Sequence, residues 1–209
     1  MVLKDWLRRN WPQALTHAAG LLPLARLLWD HARGAFIVDP VREITTRTGR
    51  TALVLLVLTL ACTPLHTLFG IKWVLRVRRA LGLYAFLYAA LHFLTFVGLD
   101  YGFQLDLLGP AIFDQLYVLP GFAAGLILLI LALTSTRGWQ KRLGRNWKRL
   151  HRLVYLAGIL AIVHFLWLVK DIGEPLRYGA IVALLLLLRV PRLREAVRNA
   201  RRSTLALIP

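Results

Sequence analysis

The chain has 209 residues, 58% hydrophobic and 18% charged, with 27 Lys and Arg against 10 Asp and Glu. Soluble domains run at about 45–50% apolar and about 25% charged, so a globule of this length could not hide its apolar side chains, and a bilayer must cover part of them. The net charge of +17 suits nucleic acid or an anionic membrane, and the apolar content decides for the membrane. The single cysteine, Cys62, excludes an intramolecular disulfide framework, a four-cysteine zinc site and a cysteine-ligated iron–sulfur cluster.

Crossing hydrocarbon takes about 20 mostly apolar residues per helix. Six stretches qualify: 11–29, 51–69, 80–98, 116–134, 151–169 and 175–190. The first follows Lys4, Arg8 and Arg9 in the manner of a signal peptide. Asp30-His31-Ala32-Arg33 is a poor cleavage site, so an uncleaved anchor is expected. Segment 30–50 carries the breakers Gly34, Pro40 and Gly49 around the polar run Arg42 to Thr48, and predicts a short amphipathic segment on the membrane surface. Pro120 is expected to start or kink the fourth span, and the sixth is short, bounded by Pro175 and Arg189. Segments 1–10, 70–79, 135–150 and 189–209 hold 19 Lys and Arg, whereas 30–50, 99–115 and 170–177 hold 6 against eight acids. Basic loops stay cytoplasmic. The expected fold is an all-α integral membrane protein: a six-helix transmembrane bundle, both termini cytoplasmic, residues 1–209 forming one domain. The seven tryptophans fall mostly at predicted span ends, as interfacial anchors do.

The six histidines carry the chemistry. Spans three and five run in the same direction, so depth in one can be compared with depth in the other. His92 lies 13 residues beyond Arg79, and His164 lies 12 beyond Arg152. At about 1.5 Å per residue both sit roughly 18–20 Å above their cytoplasmic markers. Measured from the other side, His92 precedes Asp100 by 8 residues and His164 precedes Asp171 by 7. Both imidazoles therefore share one height in the outer half of the bilayer. Their flanks echo each other too, Leu91-His92-Phe93-Leu94 against Val163-His164-Phe165-Leu166. Ionisable groups in hydrocarbon are costly and mark function. Hydrogen bonding between helices is one use of such a pair. Axial ligation of one haem, with no coordination position left open, is the other, and it suits electron transfer. No third ligand for zinc stands near that depth.

His151 opens span five, 13 residues before His164 and about 20 Å lower, near the cytoplasmic face. That spacing suits a second haem stacked across the membrane, or an interfacial histidine. Positions 13 and 14 before His92 are Arg79 and Arg78, so the candidates for a ligand opposite His151 are His66, near the inner end of span two, and His17, in span one. His31 falls in the outer loop. There is no P-loop, no GxGxxG and no nucleophile elbow. The basic run Arg137 to Arg152 lies between two spans, where it meets anionic lipid or an acidic partner rather than nucleic acid.

Taken in order, certain short motifs resemble the MsrQ (YedZ) family over essentially the whole chain. They are His17-Ala18-Ala19-Gly20-Leu21-Leu22-Pro23, Asp39-Pro40-Val41-Arg42-Glu43-Ile44 with Thr48-Gly49-Arg50, Arg78-Arg79-Ala80-Leu81-Gly82, and Leu91-His92. Leu143-Gly144, Leu150-His151, Val154-Tyr155 and His164-Phe165-Leu166-Trp167 complete the series. The resemblance implies a ferric-reductase-like transmembrane haem domain in the bacterial inner membrane. It implies b-type haem, one or two, held by His92, His164 and His151, together with FMN, for which no local motif assigns residues. It further implies a periplasmic molybdopterin-containing MsrP-like reductase as partner and the quinone pool or a cytoplasmic flavin reductase as electron donor. A single His in span three, where the related oxidases have two, leaves the ligand opposite His151 open. The expected function is an electron-transfer subunit without its own methionine sulfoxide site. The alternatives are a self-contained ferric or quinone reductase and a small permease or scaffold.

Overall fold

The computed structural model describes residues 2–191 and Glu195, and every regular element among them is helical. The helices are α1 (Val2–Ala32), α2 (Pro40–Phe69), α3 (Trp73–Thr95), α4 (Leu105–Phe113), α5 (Val118–Leu133), α6 (Arg137–Leu143), α7 (Arg145–Leu150), α8 (Leu153–Leu168) and α9 (Gly173–Leu187). Helix α3 runs on into one π-helical turn, Phe96–Asp100. Three described helical segments are long and apolar enough to cross a membrane: Pro40–Phe69, Trp73–Asp100 and Arg145–Leu168. A fourth is gained if α4 and α5, bent by 106° to each other, count as one broken span. The basic C-terminal stretch of segment 189–209 lies almost wholly outside the described residues.

The segment 30–50 departs from expectation. Residues 40–50 do not form a separate surface helix but are the first turns of α2. The start signals are in the sequence: the Asp39 side chain accepts from the Arg42 backbone N–H, Pro40 occupies the first turn, and Glu43 follows there. The polar run is tied down by ion pairs and hydroxyl hydrogen bonds, with Thr48 buried and Arg42, Glu43 and Thr46 exposed. Arg47 pairs with Asp30 at 2.5 Å and with Glu43 at 3.1 Å, and Arg50 pairs with Glu174 at 2.6 Å. Thr45, Thr48 and Thr51 donate their hydroxyl protons to carbonyls four residues back, which removes the donor cost of placing them against apolar neighbours. Pro120 sits in the first turn of α5 and starts that helix, as expected.

Helix α2 packs along α3, and α5 along α8; α1 lies on α3, and α9 on α8 and α2. One buried cluster joins Ala52, Leu55, Leu56, Ala85, Tyr88, Leu128 and Ala157 across α2, α3, α5 and α8. A second joins Leu53, Leu60, Ile162, Val182 and Leu185 where α9 closes on α2 and α8. Ala85 and Ala157 are both fully buried, and such small residues let membrane helices approach closely.

Candidate functional site

His92 lies near the C-terminal end of α3, and His164 near that of α8. The fold brings the two imidazoles together edge to face, ring centroids 6.1 Å apart and planes at 77°. His92 Nδ1 lies 2.8 Å from the carbonyl oxygen of Thr45 in α2. His164 Nδ1 lies 2.6 Å from the carbonyl oxygen of Tyr117 at the start of α5. A carbonyl can only accept, so Nδ1 carries the proton in both rings. Each Nε2 is left with its lone pair, the form in which imidazole ligates a metal. An imidazole-to-metal bond of about 2 Å on each side, with the half-widths of two rings, gives a centroid separation of about 6 Å. The spacing, and the tautomers that the carbonyl partners require, therefore fit bis-imidazole ligation of a single iron. Among the described residues no group of three or more His, Cys, Asp or Glu is placed to hold a metal ion, so the two imidazoles stand as a pair. The π turn directly after His92 widens the helix there; its first residue, Phe96, donates to both His92 and Phe93 carbonyls.

His151 caps α7 at the opposite end of the bundle. Its ring stacks on Trp147 at 4.1 Å between centroids, and its Nε2 lies 3.2 Å from Thr134 Oγ1. Trp147 Nε1 donates to the Thr134 carbonyl at 2.9 Å, closing a small polar knot between α5 and α7. Across from it, Arg78 donates to Thr63 Oγ1 at 3.2 Å. The two candidates for a ligand opposite His151 differ. His17 is exposed on α1, and its Nδ1 pairs with the Tyr84 hydroxyl at 3.0 Å, not with His151. His66 ends α2, and its Nδ1 is buried without a hydrogen-bond partner. His31 is exposed in the last turn of α1, beside Phe36.

A cleft of about 310 Å³ opens between α1, α2 and α3, lined in part by Arg26, Arg47, Arg50 and Tyr88. Two of its guanidiniums are held by Asp30, Glu43 and Glu174, and Arg26 lies 3.9 Å from Asp30. Sequence reasoning found the two histidines but missed what holds them. The carbonyls of Thr45 and Tyr117 are backbone groups and leave no composition signal. Gly49 and Gly121 do leave one, because each precedes its histidine by 43 residues.

The class of this apolar helical bundle is shown by a family match: it is a ferric-reductase-like transmembrane component. Residues 48–162 match the family described as "Ferric reductase like transmembrane component". The chain is 49% identical over 201 residues to the "Protein-methionine-sulfoxide reductase heme-binding subunit MsrQ" of Xanthomonas axonopodis pv. citri, covering 92% of each chain. Its counterpart in Xanthomonas euvesicatoria pv. vesicatoria is also 49% identical, again with 92% of each covered. That of Xanthomonas oryzae pv. oryzae is 47% identical over 200 residues, 91% of each. The chain belongs to the MsrQ family. No solved structure matches it.

Proposed function

We propose that the chain is the membrane-embedded, haem b-binding electron-transfer subunit of a methionine sulfoxide reductase system. It passes electrons across the bacterial inner membrane to a periplasmic MsrP-like, molybdopterin-containing reductase. The observation that carries this is the pair His92 and His164, facing at 6.1 Å with each Nδ1 tied to a carbonyl. The name carried by relatives 47–49% identical supports it. When bound there, haem supplies a one-electron carrier without an open coordination position. The protein holds the two imidazoles in one tautomer and encloses them between α2, α3, α5 and α8.

In this reading α1, α2, α3, α5, α8 and α9 make six crossings with both termini cytoplasmic. The charge asymmetry of the connecting segments supports that orientation, with six Lys and Arg in 135–150 and none in 99–115. His151 then stands on the electron-uptake side, as ligand to a second haem or beside a flavin such as FMN. His66, with its unpartnered buried Nδ1, is the better candidate for an opposite ligand than His17. The donor is the quinone pool or a cytoplasmic flavin reductase.

A reduced-minus-oxidised spectrum of the purified protein tests the cofactor, and reconstitution with the soluble partner tests the function. A b-type α-band and electron delivery to the partner are expected. No α-band would return the chain to a permease or scaffold. Rapid reduction of ferric chelates or quinone without a partner would make it a self-contained reductase.

Two further results are expected. His151→Ala should keep the His92/His164 spectrum but slow its reduction from the cytoplasmic side several-fold. Wild-type rates would leave His151 as an interfacial ring stacked on Trp147. At the other end, Asp100 ends the π turn, Asp106 lies in the first turn of α4, and Asp114 caps α4. Reversing these three charges should slow delivery to the partner at low salt without altering haem content, because complementary charge acts mainly on encounter rate. An unchanged rate at low ionic strength would move docking to segment 30–50.

A further inference from the structure

The two imidazoles are held by one device built twice. Thr45, Gly49 and His92 recur 72 residues later as Tyr117, Gly121 and His164. The same offset relates Ala52 to Ala124, Leu56 to Leu128 and Ala85 to Ala157, all six buried. In each half the accepting carbonyl belongs to residue i, and the glycine is residue i+4 of the same chain segment. The N–H of residue i+4 lies directly above carbonyl i in a helix. Its Cα–Cβ bond tilts back toward the N-terminus, so a side chain there leans over that carbonyl. A Cβ on Gly49 would come within 2.9 Å of His92 Nδ1, and one on Gly121 within 2.6 Å of His164 Nδ1. Gly125, one turn further along α5, has nothing within 4 Å of its Cβ position. Among the described glycines, Gly49 and Gly121 are the two whose Cβ position would meet a histidine ring.

Resting on the haem reading above, we propose that Gly49 and Gly121 are positioning residues. Each clears the approach of an imidazole Nδ1–H to the carbonyl four residues earlier, and the two matched cradles set the reduction potential of the iron. A ligating imidazole that donates its second N–H to a carbonyl becomes more basic and is fixed in orientation. Greater basicity favours the oxidised metal, so loosening either hydrogen bond raises the potential. Thr45 and Tyr117 each contribute a backbone carbonyl, and the Tyr117 ring also lies 6.3 Å from that of His164.

The test is a potentiometric titration of the full chain, followed by its visible spectrum. Gly49→Ala and Gly121→Ala are each expected to favour the reduced form by about tenfold, an upward shift of about 59 mV for one electron. Gly125→Ala should titrate as wild type. An independent arm avoids the glycines: His92→Gly is loaded with haem and then with free imidazole or 1-methylimidazole. Imidazole can donate to the Thr45 carbonyl and should restore a potential near that of wild type. 1-Methylimidazole cannot, and should give a higher one or fail to restore the low-spin spectrum. If an alanine variant loses its haem, the comparison of the two bases decides. Equal potentials with both bases, or wild-type potentials in both alanine variants, overturn the cradles. A low-spin spectrum retained by both His92→Ala and His164→Ala would instead overturn the haem reading itself.

Discussion

His92→Ala and His164→Ala, made singly, are each expected to strip most of the haem from the purified protein. The two rings face each other at 6.1 Å, and among the described residues no third histidine stands with them. Removing either leaves one imidazole to hold the cofactor. Loss of a residue that merely orients a metal ligand typically weakens metal binding by about 10–100-fold, and loss of the ligand itself should exceed that. The fold should survive, because neither ring belongs to the two buried clusters that join the helices. Size-exclusion behaviour near wild type with the low-spin spectrum gone is the expected pair of results. His17→Ala is the contrasting variant: its ring is exposed on α1 against Tyr84, and haem content should not change.

The pairing of His92 with His164 was legible in the sequence because helices are rigid rulers. Each histidine interrupts an apolar run, and rises of 13 and 12 residues from Arg79 and Arg152 put them at nearly one height. The carbonyl partners were not legible, since a backbone acceptor looks the same under every residue type. Glycine lowers helix propensity, so by sequence Gly49 reads as a breaker. Inside α2 it has a tertiary reason instead, the imidazole lying against it. Helix α2 starts at Pro40, about ten residues before the apolar run at 51, for a related cause. Arg42 to Thr51 looks too polar to be part of a long apolar helix, yet its arginines meet Asp30 and Glu174 from other segments. Distant partners of that kind leave no local pattern. The 106° bend between α4 and α5 also escaped the sequence, although Pro110 and Pro120 bracket it.

Tyr88→Phe is expected to destabilise the fold while leaving the low-spin spectrum in place. Pro23 interrupts α1, where a missing N–H and a ring clash open the helix. Tyr88 reaches across from α3 into this opening. Its hydroxyl donates to the Gly20 carbonyl at 2.7 Å and accepts from the Leu24 N–H at 2.9 Å. The side chain is only 1% exposed, so no bulk water replaces it. Phenylalanine keeps the ring and its packing in the cluster with Ala85 and Ala157 but leaves two backbone groups at the seam of α1 and α3 with their bridge gone. Leaving a buried polar group unmet costs about 1–3 kcal/mol. Helix α1 should therefore detach more readily from α3, lowering the thermal unfolding midpoint and exposing α1 to protease first. His92 lies one turn beyond Tyr88 on the same helix but is fixed by Thr45 of α2, so haem ligation should persist up to the lowered transition. A midpoint and protease pattern identical to wild type would show that Gly20 and Leu24 close their own helical bond once the hydroxyl is removed.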